Sequence, residues 1–299
     1  MSVRIGAVFL VYWLAVAAIQ ARACELEAGT RAVVTKALSA DSLLLQGGET
    51  VVLAGALAPQ SGPLNDDSWP PRETTRAELE RLAGGKMVEI VAAGRRLDRY
   101  GRVMAQVFIA GDTEGGTERQ WVQGELIAAG LSRAYALASG AECLEEMLAL
   151  ETAARGDRRG HWGSGVFEDR DGSDERGLRR LSDTFQSVEG VVERVETMRG
   201  QPVLVFAGGG ESGGFRAAMA VSKDGRRSSS SRRTIEGLMG ARVRVRGWIE
   251  PRQRPLVLLA DPRLIEVIAA AGVETGAEIG APVPPAPALP EPMPASTPQ

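Results

Sequence analysis

The chain predicts a mainly β protein with some helix, built as two small barrels in tandem. Three observations carry this. Short apolar runs at strand length cluster in two blocks, about five to a block. A charged stretch almost without apolar residues, Ser164 to Asp183, separates the blocks. The ends are different again: an apolar run precedes the first block, and a tail holding half of the 16 prolines follows the second.

Taken in order, Arg4 and the unbroken apolar run Ile5 to Ile19, then Ala21-Arg22-Ala23, have the charged, apolar and small-residue parts of a secretory signal peptide. Residues 1–23 are expected to be removed, which places the mature chain in the periplasm or outside the cell. A membrane anchor is disfavoured, because the run is shorter than the roughly 20 residues that span a bilayer. In an oxidising compartment the only two cysteines, Cys24 and Cys143, are expected to pair.

In the first block, residues 24–163, the strands are expected at Ala32-Val33-Val34, Leu43-Leu44-Leu45 and Val51-Val52-Leu53, with Gly47-Gly48 as a hairpin turn. Thr74 to Leu82 predicts a short helix capped by Thr74. Met87 to Val91 and Val103 to Ile109 follow as strands, joined through Asp98-Arg99-Tyr100-Gly101-Arg102. Two further helices are expected: Trp121 to Ala129, stopped by Gly130, and Ala141 to Arg155, where Cys143, Met147, Leu150 and Ala154 recur at near-helical spacing. Residues 164–184 are expected to be a linker.

The second block, residues 185–268, offers strands at Val188 to Val195, Val203 to Phe206, Phe215 to Val221, Ala241 to Ile249 and Leu256 to Leu259. On Arg242-Val243-Arg244-Val245-Arg246 the strand period of two puts the three arginines on one face. With Arg226, Arg227, Arg232 and Arg233 in a serine-rich loop, they make a candidate nucleic-acid-binding stripe. The reading that competes with it is a solvated strand face. Residues 269–299 are expected to be disordered.

Charge and composition exclude some functions. A net charge of −3 rules out a basic coat protein, so any polyanion must meet a local patch. One histidine and two cysteines cannot build a structural zinc site.

The segment Arg31 to Gly163 resembles the staphylococcal nuclease-like, or thermonuclease, family. Ser39-Ala40-Asp41-Ser42 lies where that family has Asp-Gly-Asp-Thr, and Val51 to Gln60 where it has a strand arginine followed by Asp-x-Pro-Glu. Asp98-Arg99-Tyr100-Gly101-Arg102, Gly124 to Ser132, and Glu151 to Trp162 are also similar. The resemblance implies a five-stranded OB barrel with three helices, and the second block looks like the OB-type barrel that follows such domains in some secreted bacterial proteins. It further implies phosphodiester hydrolysis with a calcium ion held by carboxylates, a glutamate that activates water and two phosphate-clamping arginines. Here Asp41 and Arg102 match that pattern, whereas Val52 replaces the strand arginine, Leu57 the second metal-side aspartate and Gln60 the glutamate. A neutral amide accepts no proton, and parts that act as a unit fail as a unit.

The expected protein is therefore a catalytically inactive relative that needs no cofactor and binds single-stranded nucleic acid or another polyanion. Two alternatives stand beside it. One is an active calcium-dependent nuclease, with Glu49, Asp66, Asp67 or Glu73 standing in for the lost carboxylates. The other is an envelope module that binds proteins through its Pro-rich tail. Asp41 as a turn cap, Arg102 as a brace to Asp98 or Glu125, and His161 as a packing residue are the structural readings of the same residues.

Overall fold

The computed structural model describes residues 24, 26, 29–60, 68–110, 119–136, 141–198, 200–208, 214–220 and 235–271, with the backbone alone at 94–96. The signal segment, Asp66, Asp67, Arg226, Arg227, Arg232, Arg233 and the Pro-rich tail beyond 271 lie outside the described residues. In chain order the first half comprises β1 (Thr30–Ser39), β2 (Ser42–Leu45), β3 (Thr50–Leu53), β4 (Ala56–Leu57), α1 (Pro70–Ala83), β5 (Met87–Leu97) and β6 (Val103–Ile109). Then come β7 (Gln120–Trp121), α2 (Val122–Ala128), β8 (Arg133–Ala134), α3 (Leu144–Gly156) and the single turn α4 (Gly160–Gly163).

The sheet runs β3-β2-β1-β5-β6 and closes into a five-stranded barrel where β3 pairs in parallel with β6, Val51 opposite Val103 and Leu53 opposite Ala105. Val34, Leu43, Val51, Leu53, Val88 and Val107 point inward and are buried. α1 begins four residues before the expected start. Pro70 and Pro71 fill its first turn, where a missing N–H costs nothing, and the Thr74 hydroxyl bonds the Pro70 carbonyl instead of capping the helix. α2 ends at Ala128, one residue short of the expected Ala129, and Gly130 follows as its stop for a steric reason. Gly130 has φ +71°, and a Cβ there would lie 2.3 Å from the Arg159 carbonyl oxygen. Cys24 and Cys143 form a disulfide across 119 residues. Cys143 is not within the helix, as its spacing suggested, but caps α3 with a left-handed φ of 60°.

The second half comprises β9 (Asp169–Asp171), α5 (Glu175–Arg180), β10 (Phe185–Met198), β11 (Gln201–Phe206), β12 (Arg216–Met219), β13 (Arg242–Glu250), β14 (Leu256–Leu259) and β15 (Ile265–Ala269). The barrel β10-β11-β12-β14-β13 closes by pairing of β13 with β10 from Phe185–Trp248 to Val191–Arg242. Its third and fifth strands, β12 and β14, run parallel, as do β3 and β6. Both barrels thus share one strand order, and the whole is mainly β with five closed strands in each barrel. β9 and β15 extend the second sheet at its two ends.

The charged segment 164–184 is folded, and a linker is the wrong description of it. Phe167 and Leu178 are buried, β9 pairs in parallel with β10, and the Asp174 side chain caps α5 through the Gly177 amide. One of its charges is held by partners: Asp169 faces Arg244 at 3.0 Å and accepts from the Ser187 hydroxyl at 2.6 Å. The two barrels consequently pack directly against each other. Leu144 of α3 belongs to the apolar core of the second barrel, and the Arg263 guanidinium donates to the Ala141 carbonyl.

Candidate functional site

The positions that the thermonuclease resemblance singled out gather around one end of the first barrel. Asp41 sits in the two-residue turn between β1 and β2, where its carboxylate accepts from the Ser39 hydroxyl at 2.7 Å while its carbonyl accepts from the Leu53 amide. Val52 is buried on β3 between Ser42 and Met104. Leu57 lies on β4 opposite Arg133 of β8. Arg102 is held by Asp98, its Nε 2.7 Å from the carboxylate. Burial opposes ionisation of Asp98. Hydrogen bonds from the Arg102 amide, its guanidinium and the Tyr100 amide outweigh that and hold the carboxyl below its ordinary range.

Gln60 has a different neighbour. Its Oε1 accepts the Phe185 amide at 2.8 Å, so the side chain at the glutamate's place ties down the first residue of the second barrel. Around this contact the barrels interlock. The Arg133 guanidinium donates to the Phe185 carbonyl and lies over the rings of Phe185 and Phe167, and Tyr135 meets Phe185 edge to face. Burial pulls the Arg133 pKa down to about 10 against the attraction of Glu151. Burial, with the Asp41 charge adding to it, raises the Tyr135 phenol to about 12. Asp41 and Arg102 therefore share Tyr135 as a neighbour, a residue that the sequence did not single out. Its only sign there is an aromatic two residues beyond an apolar stop.

Beside Arg102 opens a groove of about 500 Å³ lined by Gly48, Glu49, Thr50, Leu97, Tyr100 and Val103. Tyr100 is 68% exposed, with the Arg99 and Arg102 guanidinium carbons 4.8 and 5.4 Å from its ring centre. An exposed aromatic carrying two cations suits a flat, anionic ligand.

Calcium takes six to eight oxygen ligands. Among the described residues no group of three carboxylate, histidine or cysteine side chains converges on a point fit for a metal. Of the family's site positions Asp41 alone keeps a carboxylate, already engaged by Ser39, with Leu57 and Gln60 standing where the others would be, and Glu73 is engaged by Arg76. The described residues at the site do not fit the family's calcium ion. His161, buried, shares a hydrogen bond with the Thr75 hydroxyl at 3.0 Å and packs on Phe167, joining α4 to α1.

The basic stripe differs most from its expectation. Arg242, Arg244 and Arg246 do share one face of β13, but that face is opposite carboxylates. Arg246 is 2% exposed; its Nε meets Glu151 of α3 at 2.9 Å and its Nη2 meets Glu266 of β15 at 2.7 Å. Arg244 contacts Asp169, Glu189 and Glu266 within 3.0 Å, and Arg242 contacts Glu189 at 2.7 Å. Arg155 of α3 adds a further link to Glu266 at 3.3 Å. Arg246 makes a buried ionic joint between the barrels with Glu151, Arg244 is tied to carboxylates of its own sheet, and Arg242, exposed, is paired with Glu189 of β10, so the stripe is not an open cationic face. Burial disfavours the Glu266 carboxylate, yet the charges and hydrogen bonds of Arg246 and Arg244 bring it down to about 2.

Residues 50–164 match the family model of staphylococcal nuclease homologues. This segment is a staphylococcal nuclease homologue domain. The match runs from β3 to the end of α4, so β1, β2 and Asp41 complete the nuclease-homologue barrel upstream of it. The second barrel lies wholly outside it. No curated protein matches the chain.

Proposed function

We propose that this is a secreted or periplasmic thermonuclease-like protein that has lost phosphodiester hydrolysis and holds single-stranded nucleic acid or another polyanion. The observation that carries the proposal is the Gln60 contact: where hydrolysis requires a base, an amide oxygen is committed to the Phe185 N–H of a neighbouring barrel. Leu57 and Val52 supply neither metal ligand nor phosphate clamp. Retention of binding is supported by the groove at Tyr100, Arg99 and Arg102, which needs no metal to stack a base or attract a phosphate. The signal segment and the Cys24–Cys143 pair support an oxidising compartment.

The test is fluorescence anisotropy of a labelled single strand mixed with the mature protein and followed over time, with and without calcium, at several salt concentrations. The expected result is a stable rise that diminishes with salt, as counterion release requires. A calcium-dependent decay below the starting value would mean cleavage and overturn the loss of hydrolysis. Anisotropy that never moves would exclude nucleic acid and leave the envelope protein-binding reading.

A further inference from the structure

With Arg242, Arg244 and Arg246 committed to carboxylates, three other arginines of the second barrel, without such partners among the described residues, gather elsewhere. Arg216 opens β12, the third barrel strand. Its amide donates to the Pro255 carbonyl at 3.0 Å, and in the ladder it stands between Val205 of β11 and Leu256 of β14. That register brings it beside residues 251–255, the hairpin joining β13 to β14, which carries the exposed Arg252 and Arg254. Arg254 lies two residues before Leu256, the ladder partner of Arg216.

Among the described residues, none of the three arginines has a carboxylate within ion-pair distance. The Arg216 Nε is shut off from water and has no hydrogen-bond partner. A buried, unsatisfied guanidinium N–H is costly, and two further cations beside it add repulsion. The charges acting on Arg216 are Arg254 and Arg252 on the hairpin, opposed by Glu196 of β10 and Glu175 of α5. Burial first, then Arg254, lowers its pKa, and the two glutamates do not restore it. Both are occupied, Glu196 by Arg194 and Glu175 by Arg179. An arrangement that is unfavourable when empty becomes favourable when an anion enters it. In small barrels of this strand order, the second and third strands and the hairpin between the fourth and fifth form the surface that takes oligonucleotides and oligosaccharides. Three guanidinium groups at that place select the ligand with a regular anionic backbone, because the planar fork matches phosphate oxygens two at a time.

We infer that Arg216, Arg252 and Arg254 form a seat on the second barrel for a phosphodiester group of a nucleic-acid strand, a site apart from the groove at Tyr100 and from the joint between the barrels. The inference rests on the reading of the protein as a nucleic-acid binder, and it moves the contact from the β13 stripe to the β12 edge and the β13–β14 hairpin.

The experiment is equilibrium anisotropy with a labelled 20-nucleotide single strand over a salt series, using the mature full chain. The variants are Arg252→Gln with Arg254→Gln, Arg216→Gln, and Arg252→Glu. The double hairpin variant is expected to bind about tenfold more weakly, with the slope of log affinity against log salt shallower by roughly 1 to 2. Arg252→Glu supplies Arg216 with a counter-ion, so its melting temperature is expected to hold or rise while binding falls; a purely structural role would lower both. If the wild type binds and the hairpin variants bind equally well with the same slope, the seat is wrong and nucleic-acid binding itself stands. If the wild type does not bind the strand at low salt, both fall together. If the variants lose a sulfated oligosaccharide such as heparin but keep the strand, the phosphodiester assignment is overturned.

Discussion

Glu151 is a residue whose loss the structure makes costly. Its side chain, 1% exposed, accepts from Arg246 Nε at 2.9 Å through one oxygen and from the Ala134 amide at 2.6 Å through the other. In Glu151→Gln the amide oxygen still serves Ala134, but the NH2 then faces the Arg246 guanidinium, which is left buried with Glu266 as its counter-ion. Breaking a buried pair from one side costs about 3 to 5 kcal/mol. The surviving 2.7 Å contact to Glu266 places this case at the lower end, about 3 kcal/mol. At roughly 2 to 4 °C per kcal/mol for a chain of this size, melting falls by roughly 6 to 12 °C. The assay is thermal and urea unfolding followed by far-UV circular dichroism and tryptophan fluorescence on Glu151→Gln, Arg246→Met and the double variant. Removing both charges takes the isolated ion out of the interior, so the double variant should be more stable than the sum of the singles by about 2 kcal/mol. Glu151→Gln within 1 kcal/mol of the wild type, or strictly additive losses, would refute the view that the joint works as a coupled charge cluster.

Three other outcomes are expected. The folded pKa of Glu266, about 2, lies below its ordinary 4.5. The stabilisation is therefore complete above pH 4.5 and is lost as pH falls from 4.5 toward 2, where the unfolded chain takes up the proton first. Urea midpoints across that window should decline more steeply for the wild type than for Glu266→Gln, and equal slopes would contradict the pairing. Gln60→Ala removes the acceptor of the Phe185 amide, with a cost of about 1 kcal/mol and faster hydrogen exchange at Phe185; unchanged protection there would mean that the contact is absent in solution. Reducing the Cys24–Cys143 bond opens a loop of 119 residues and should cost about 4 to 5 kcal/mol on chain-entropy grounds, read as a shift in urea midpoint with reductant; no shift would mean that the bridge does not form.

The barrel strands were legible because near-continuous burial fills them with apolar residues: Val34, Leu43, Val51, Val203 and Leu256 lie where an apolar run at strand length put them. The two-residue strands β4 and β8 were not, since a pair so short has no period, and they hold Leu57 beside Arg133 only through the tertiary fold. The hardest parts were those where charge meets charge across long separations. Period two placed Arg242, Arg244 and Arg246 on one face correctly, but a strand pattern cannot say what lies opposite. Asp169, Glu151 and Glu266 come from three distant segments. The same ignorance turned residues 164–184 into an expected linker, because paired and hydrated charges have the same composition. At the candidate site the substitutions at Val52, Leu57 and Gln60 were visible, whereas the Phe185 contact that occupies Gln60 was not.

The charge cluster between the barrels also bears on the order in which the chain can mature. Arg246 emerges 95 residues after Glu151 during synthesis. By the time α4 has appeared, the nuclease-homologue domain has its full set of strands and helices, but α3 still presents Glu151 and Arg155 to water and Leu144 without its apolar neighbours. The first barrel can form its ladder early and can reach its final state only when β13 and β15 arrive. A fragment cut at residue 164, where the family match stops, would thus lay bare the face of α3 that Arg246, Glu266 and the apolar core of the second barrel cover in the whole chain.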